Sequence, residues 1–599
     1  MIRPRVRTGL TLAAAAAALV LAIAAVRTYA GGPLIVLDGK PVRWSRTEVR
    51  GGPLNSATVD AQGRVLYRVD SGRLGSLSEE QATALVDRIF REYTDIPTAS
   101  IEFANAGRIM DPTTNQPVNV DGTNAGRFIS SRTPTFQNPI VFDSDGSITG
   151  GGGVLGFFGF LQIDESSATL REGMVVLNGS VLRSGTISPP AFLGVFTHEF
   201  GHFAGPLDHS QINGNLAESG AGAVEPDGFQ RRQAYDIFGP FTETLFPFLF
   251  SAPPDSQFAS QFNSSGFFVA TIDLDTQNAL SNLYPTPDYL TSRGAVGGRV
   301  IVRAGGAEIP VSGVNVVARR IDQGSYPPSP GTQAYTTQPA IDGDGVPLPP
   351  PDQPATDPLA TVSSAVTGLE FGAGTYQIQG LPPGNYLVGI QQINPSAVRG
   401  SGIGPLGSRQ LVLPFAEEYY NGPGNSSNSP FTFVPVTVSA GSVTGGIDII
   451  LNGISNAAPV VVSESEPNEK PGQSQQLILP AELNGSAAPG DLAKLKMNLP
   501  DGSVDPVEDL FRITVDSSLT VFVVLEPTSG TGDLDLYLWD DGVSKKRSSL
   551  DDPHLLTFSA GPTANEALAV RLTPGTYVIG VSAFQGSLSY KLRVINSDR

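Results

Sequence analysis

From Pro287 to the C-terminus, no stretch of this chain carries a 3.6-residue apolar period. Such a sequence offers no helix face to bury, so more than half of the molecule must close its cores by packing sheet on sheet. Short apolar runs recur there between turn residues, at Gly298-Arg299-Val300-Ile301-Val302, Val314-Asn315-Val316-Val317-Ala318 and Thr375-Tyr376-Gln377-Ile378. Others follow at 511–515, 519–525, 534–539 and 577–581. The 68 Gly and 49 Pro of the 599 residues supply the turns and stay below the share that argues for disorder. The runs group into two β-sandwich blocks, 294–452 and 464–599, with a linker at 453–463. A Pro-rich stretch within 323–358 reads as an exposed loop of polyproline II character. LPPGNYLVGI at Leu381 and LTPGTYVIGV at Leu572 each place a Pro-Gly turn before a strand whose Tyr is expected to plug a core.

The front of the chain is mixed. Ser78 and Gln81 form a capping box ahead of an apolar face of Ala82, Leu85, Val86, Ile89 and Phe90, which predicts a helix over 78–92. Strands are expected at 65–69, 101–103, 140–142 and 174–177, and further helices at 189–204 and 273–283. Residues 60–286 therefore read as one α+β domain, and the whole chain as an α+β domain followed by two all-β sandwiches.

Composition narrows the function. The absence of cysteine excludes disulfide scaffolds, thiolate metal sites and cysteine nucleophiles. A formal charge of −19 makes nucleic acid and anionic membranes poor partners. Arg3, Arg5 and Arg7 precede an apolar run from Leu10 to Val26 and then Thr28-Tyr29-Ala30. That is the grammar of a secretory signal peptide over 1–30, cut after Ala30, leaving no membrane span and placing the protein outside the cytoplasm. Residues 31–59 are then a candidate pro-segment.

Three of the four histidines fall within twelve residues, in THEFGHFAGPLDHS. His198 and His202 stand four apart, so on a helix their rings share one face and can hold one Zn²⁺. Phe192, Phe196, Phe200 and Phe203 fall on the opposite side, as a core-facing stripe. Glu199 projects about 100° round the helix, towards a metal-bound water. Gly205 would let the chain leave the helix with positive φ, and the turn could return Asp208 or His209 as a third ligand. A fourth position open to water is the mark of a catalytic zinc site. An H-E-x-x-H with a distant Glu would instead nominate Glu218 or Glu225, both in a Gly/Ala-rich stretch.

His198, Glu199, His202 and Gly205 resemble, position by position, the H-E-x-x-H-x-x-G-x-x-H pattern of the metzincin zinc proteases, most closely the matrixin-like branch. The resemblance covers 60–286 and implies a zinc endopeptidase acting on protein or peptide substrates, with Glu199 as general base for a zinc-activated water. Strict counting puts Asp208 in the third-ligand position, with His209 one residue late. LDHS looks like a matrixin ending with one residue inserted near Pro206, so the resemblance favours His209. The neutral imidazole would leave the site at +2, where a carboxylate would lower it to +1. The methionine turn that the clan places beneath the zinc looks like Thr244-Leu245-Phe246-Pro247 here, with Leu245 as the apolar platform. Without cysteine, latency cannot depend on a thiolate capping the metal.

The two C-terminal blocks also resemble known modules. Residues 294–452 look like a carboxypeptidase regulatory-like β-sandwich, and 464–599, beginning SEPNE and containing DLDLYL, like a bacterial pre-peptidase C-terminal domain. Ca²⁺ remains a candidate at Asp143-Ser144-Asp145-Gly146 and Asp342-Gly343-Asp344-Gly345. Each lacks the Glu at the twelfth position of a calcium loop and reads first as an Asp-Gly turn. Asp533 and Asp535 read as the solvated face of a strand, and His554 as a surface residue. The rival reading of the chain is a secreted adhesin or matrix-binding protein whose protease domain still binds zinc but is inactive.

Overall fold

In the computed structural model, strand far outweighs helix, and the chain forms several β-rich units. The structure describes residues 32–596 apart from internal stretches, the longest being 213–242, 247–271, 322–361 and 392–417. The signal-peptide assignment, the Pro-rich loop, the Asp342–Gly345 turn, Glu218 and Glu225 lie outside the described residues.

The first unit is an eight-stranded sheet with helices packed on it. Thr169–Asn178 and Pro139–Asp143 run parallel at its centre, with Val65–Val69 beside them. Gly156–Asp164 lies antiparallel along Thr169–Asn178. The helix Glu79–Thr94 starts at the capping box read from the sequence, Ser78 Oγ accepting from Gln81 N and the Gln81 side chain accepting from Ser78 N. It buries Leu85, Val86, Ile89 and Phe90 against the helix Pro189–Ala204, where the Phe90 and Phe200 rings stack at 4.3 Å. All four phenylalanines of the predicted stripe are buried. The strand expected at 101–103 runs instead over Phe103–Arg108.

Residues 33–59 correct the boundary drawn at 60. Arg43–Trp44 pairs with Thr169–Asn178, and Val49–Gly51 and Ser56–Val59 extend the same sheet. Trp44 is 1% exposed and donates its indole N–H to Phe203 O at 2.7 Å. Removing this stretch as a pro-segment would pull a tryptophan out of the core.

The second unit opposes two sheets, one built on Gly294–Ala304 and the other on Asn315–Arg320 and Gly384–Gln391. Val296, Val300 and Val302 from the first meet Val316, Ala318, Tyr386 and Val388 from the second. The third is a ten-stranded sheet in which Leu519–Asp540 and Gly575–Asn596 are 22-residue strands. At their mid-length, Gly530 (φ +92) and Gly586 (φ +80) adopt backbone that side chains resist. The two Pro-Gly phrases fold alike. Tyr386 and Tyr577 are buried, and each hydroxyl donates at 2.7 Å to the carbonyl four residues back, Pro382 and Thr573. The linker is shorter than expected, because Val460–Ser463 already pairs with Ala481–Ala487.

Asp535 departs from the sequence reading. Leu534, Leu536 and Leu538 enter one core while Tyr537 and Trp539 enter another, so both faces of the strand are covered and Asp535 is 4% exposed. His554 is a surface residue as expected, paired with Asp540 at 2.8 Å.

Candidate metal centre

The helix Pro189–Ala204 carries its histidines one turn apart, and the chain beyond it returns His209 to them. The rings of His198 and His202 lie 4.7 Å apart, those of His202 and His209 also 4.7 Å, and those of His198 and His209 5.3 Å. One ligand nitrogen from each falls within 4.8 Å of the others. Asp208 is not in that group. Its Oδ1 accepts the His209 N–H at 2.7 Å, so the carboxylate braces the turn that carries His209.

The turn is reached differently from the sequence reading. Gly205 does not adopt positive φ; Pro206 does, at +23, where a proline ring resists it. Gly205 is needed for space, since a Cβ there would stand 2.8 Å from the Leu207 side chain and 2.9 Å from Leu280. The turn is pinned by main chain from the N-terminal stretch: Leu34 N donates to Pro206 O and Asp208 N to Gly32 O, each at 2.7 Å.

Two carbonyls fix the ring tautomers. His198 Nδ1 lies 2.9 Å from Thr244 O, and His202 Nδ1 lies 2.6 Å from Leu207 O. A carbonyl only accepts, so both Nδ1 atoms carry the proton and both Nε2 atoms present lone pairs. Those lone pairs face each other at 3.0 Å. Burial holds His198 down to about 3 and His202 to about 4, and pushes His209 lower still, so no imidazolium relieves the contact near neutrality. Two nitrogens bound to one zinc at 2.0–2.1 Å and a tetrahedral angle stand roughly 3.3 Å apart. The donor set therefore fits a divalent cation.

Glu199 is buried at 7% exposure, and burial pushes its carboxyl up to about 8, offset by the Phe158 N–H it accepts. A cation nearby would pull that value back down. A Cβ on Gly156 would stand 2.8 Å from Glu199 Cγ, so only glycine lets this strand pass the glutamate. Beneath the histidines lies the turn Glu243–Phe246. Leu245 is fully buried, and a Cβ on Gly201 would approach its side chain to 2.7 Å. Leu245 O accepts from Ser210 N at 2.9 Å, and Thr244 N donates to the Asp273 carboxylate that also caps the helix Leu274–Leu283. Thr244 O, Leu207 O, Phe158 N and Gly156 act through main chain or an absent side chain and leave no sequence signal; Asp273 shows only as a helix start.

Asp143 caps its own turn, Oδ2 accepting from Ile148 N and Thr149 N. Two carboxylate groups lie in the C-terminal unit: Glu464, Glu466 and Asp509, and Asp533, Asp535 and Glu566. Beside the first, Asn468 is fully buried and its Oδ1 has no hydrogen-bond partner.

No family model and no curated protein matches the chain. Among solved structures, a pre-peptidase C-terminal domain of a Bacillus anthracis collagenase is 17% identical, covering 22% of this chain and 99% of its own, with a TM-score of 0.16. The Aeromonas hydrophila PliG inhibitor of g-type lysozyme is 13% identical over 23% of this chain and 96% of its own, with a TM-score of 0.14. The Corynebacterium diphtheriae pilin SpaD is 11% identical over 50% of this chain and 56% of its own, with a TM-score of 0.13. Similarity at these scores assigns no family.

Proposed function

We propose that the protein is an exported zinc-dependent endopeptidase of the matrixin-like metzincin type. The observation that carries the proposal is the pair of imidazoles with Nδ1 committed to carbonyls and lone pairs converging, joined by His209, with the buried Glu199 next to His198 in sequence. Zinc bound there would supply Lewis acidity and a water of pKa near 7. His198, His202 and His209 would hold it, with Leu245 as apolar floor. Glu199, oriented by Phe158 N–H, would take the proton of the attacking water and pass it to the leaving amine. Gly156–Asp164, paired on one side by Thr169–Asn178, offers main chain to an extended peptide beside Glu199.

The two β blocks would serve as docking or surface-association modules, and Ca²⁺ would fit Glu464, Glu466, Asp509 and Asn468 Oδ1 as a structural ion. Export rests on residues 1–30. Among the described residues no helix is long and apolar enough to cross a membrane. The test is zinc content together with cleavage of casein. One zinc per chain and chelator-sensitive cleavage support the reading; zinc without cleavage supports the adhesin with an inactive domain.

A further inference from the structure

The chain leaving His209 is anchored at the next residue. Ser210 is 1% exposed; its N–H donates to Leu245 O at 2.9 Å, and its hydroxyl accepts from Ile212 N at 3.3 Å. The same hydroxyl donates to Asp275 Oδ2 at 3.1 Å. Asp275 is equally buried and stands in the first turn of the helix Leu274–Leu283, where the helix dipole favours a carboxylate. Asp273, the cap of that helix, accepts from Thr244 N. One helix start thus holds the turn whose Thr244 carbonyl orients His198 and the residue that follows His209.

The other oxygen of Asp275 reaches out of the first unit. Oδ1 accepts at 3.1 Å from the hydroxyl of Ser363, which is 3% exposed and lies on Val362–Val366 of the second unit. That strand pairs with Asn315–Arg320, so Ser363 is fixed by a sheet of its own unit. The seam around it is closed: Ile212 packs on Val317, and a Cβ on Gly380 would overlap Asn278 Oδ1 on the same helix. Two hydroxyls from different units therefore meet on one buried carboxylate. Hydrogen bonds to a carboxylate are roughly twice as strong as neutral ones, and burial keeps water from replacing either.

We propose that Ser363 is a positioning residue for the metal centre: through Asp275 and Ser210 it fixes the turn that presents His209. The inference rests on the zinc reading and adds to it that the β unit at 294–452 completes the third-ligand side of the site.

The experiment uses the full chain loaded with Zn²⁺, and separately with Co²⁺, whose visible bands report ligand geometry. Removing a metal ligand's outer partner typically costs about 10- to 100-fold in metal affinity, so Ser210→Ala, one step from the ligand, is expected to release zinc to a chelator about tenfold faster. Ser363→Ala, further out, is expected to release it about threefold faster, and both variants to shift the cobalt bands. The double variant is expected to match Ser210→Ala, because the Ser363 hydroxyl acts through the link already cut. Ser281→Ala is the control. It removes a buried hydroxyl towards the other end of the same helix, bonded to Thr98 Oγ1 and Gln277 O, and is expected to keep parental release and bands. Parental release and bands in a folded Ser363→Ala overturn the proposal. So do effects that multiply in the double variant, or a Ser281→Ala that releases zinc as fast as Ser363→Ala. If Ser210→Ala does not fold, the contrast between Ser363→Ala and Ser281→Ala decides. A parent chain that takes up no zinc defeats the zinc reading itself, whereas a zinc-binding parent indifferent to Ser363 defeats only this inference.

Discussion

His198 Nδ1 and the Thr244 carbonyl lie 2.9 Å apart, although 46 residues separate them in sequence. That contact sets which nitrogen of His198 faces His202, and so turns the lone pairs of two helical histidines towards each other. Leu207 does the same for His202 from five residues away. Main-chain acceptors hold rings without competing for a metal, which suits a site whose other nitrogens must stay unprotonated.

Glu199→Gln should keep zinc and fold and lose turnover by about 10²- to 10⁴-fold, the usual yield of a positioned general base. Casein cleavage with metal content measured on the same samples checks this. Undiminished cleavage would remove Glu199 from the chemistry.

The third ligand is decided by two single variants. His209→Ala should lose most of its zinc, whereas Asp208→Ala should still bind one zinc per chain and release it faster, because Asp208 braces the His209 amide instead of meeting the metal. Metal analysis after dialysis distinguishes them, and the opposite pattern would make Asp208 the ligand.

Trp44→Ala should destabilise the first unit by about 3–5 kcal/mol, the range for removing a fully buried large aromatic. It also deprives Phe203 O of its indole donor. Denaturant melts report the loss. A change below about 1 kcal/mol would mean that residues 33–59 are detachable after all.

Asp70 is fully buried, and burial pushes its carboxyl up to about 7 despite N–H donors from Gly72, Val120 and Phe142. Its folded value lies above the unfolded value of about 3.9, so its contribution to stability is fully present below pH 4 and is lost as pH rises through about 7. The full swing is on the order of 4 kcal/mol. Relative to Asp70→Asn, the parent should lose stability steadily from pH 4 to pH 8 in melts at matched ionic strength. Parallel curves for the two proteins would refute this.

Local signals carried much of the fold. The Ser78–Gln81 capping box, the phenylalanine stripe of 192–203 and the two Pro-Gly-x-Tyr phrases each specify their structure within a few residues, and each folds accordingly. Long-range relations were not legible. Arg43–Trp44 joins a strand more than a hundred residues away, so nothing near Trp44 announces a core position. Asp535 looks solvated because alternation alone cannot tell a strand with one wet face from a strand between two cores. At the candidate metal centre the clustering of His198, His202 and His209 was readable from spacing. The reason for Gly205 was not, because its neighbours Leu207 and Leu280 crowd a Cβ that no pattern displays.

The most direct measurement is anomalous diffraction at the zinc edge from crystals of the full chain grown with zinc. One strong peak, bound by Nε2 of His198 and His202 and by an imidazole nitrogen of His209, with Nδ1 of the first two still on Thr244 and Leu207, is the expected result. No peak between those rings, with His198 and His202 turned apart, would contradict the account.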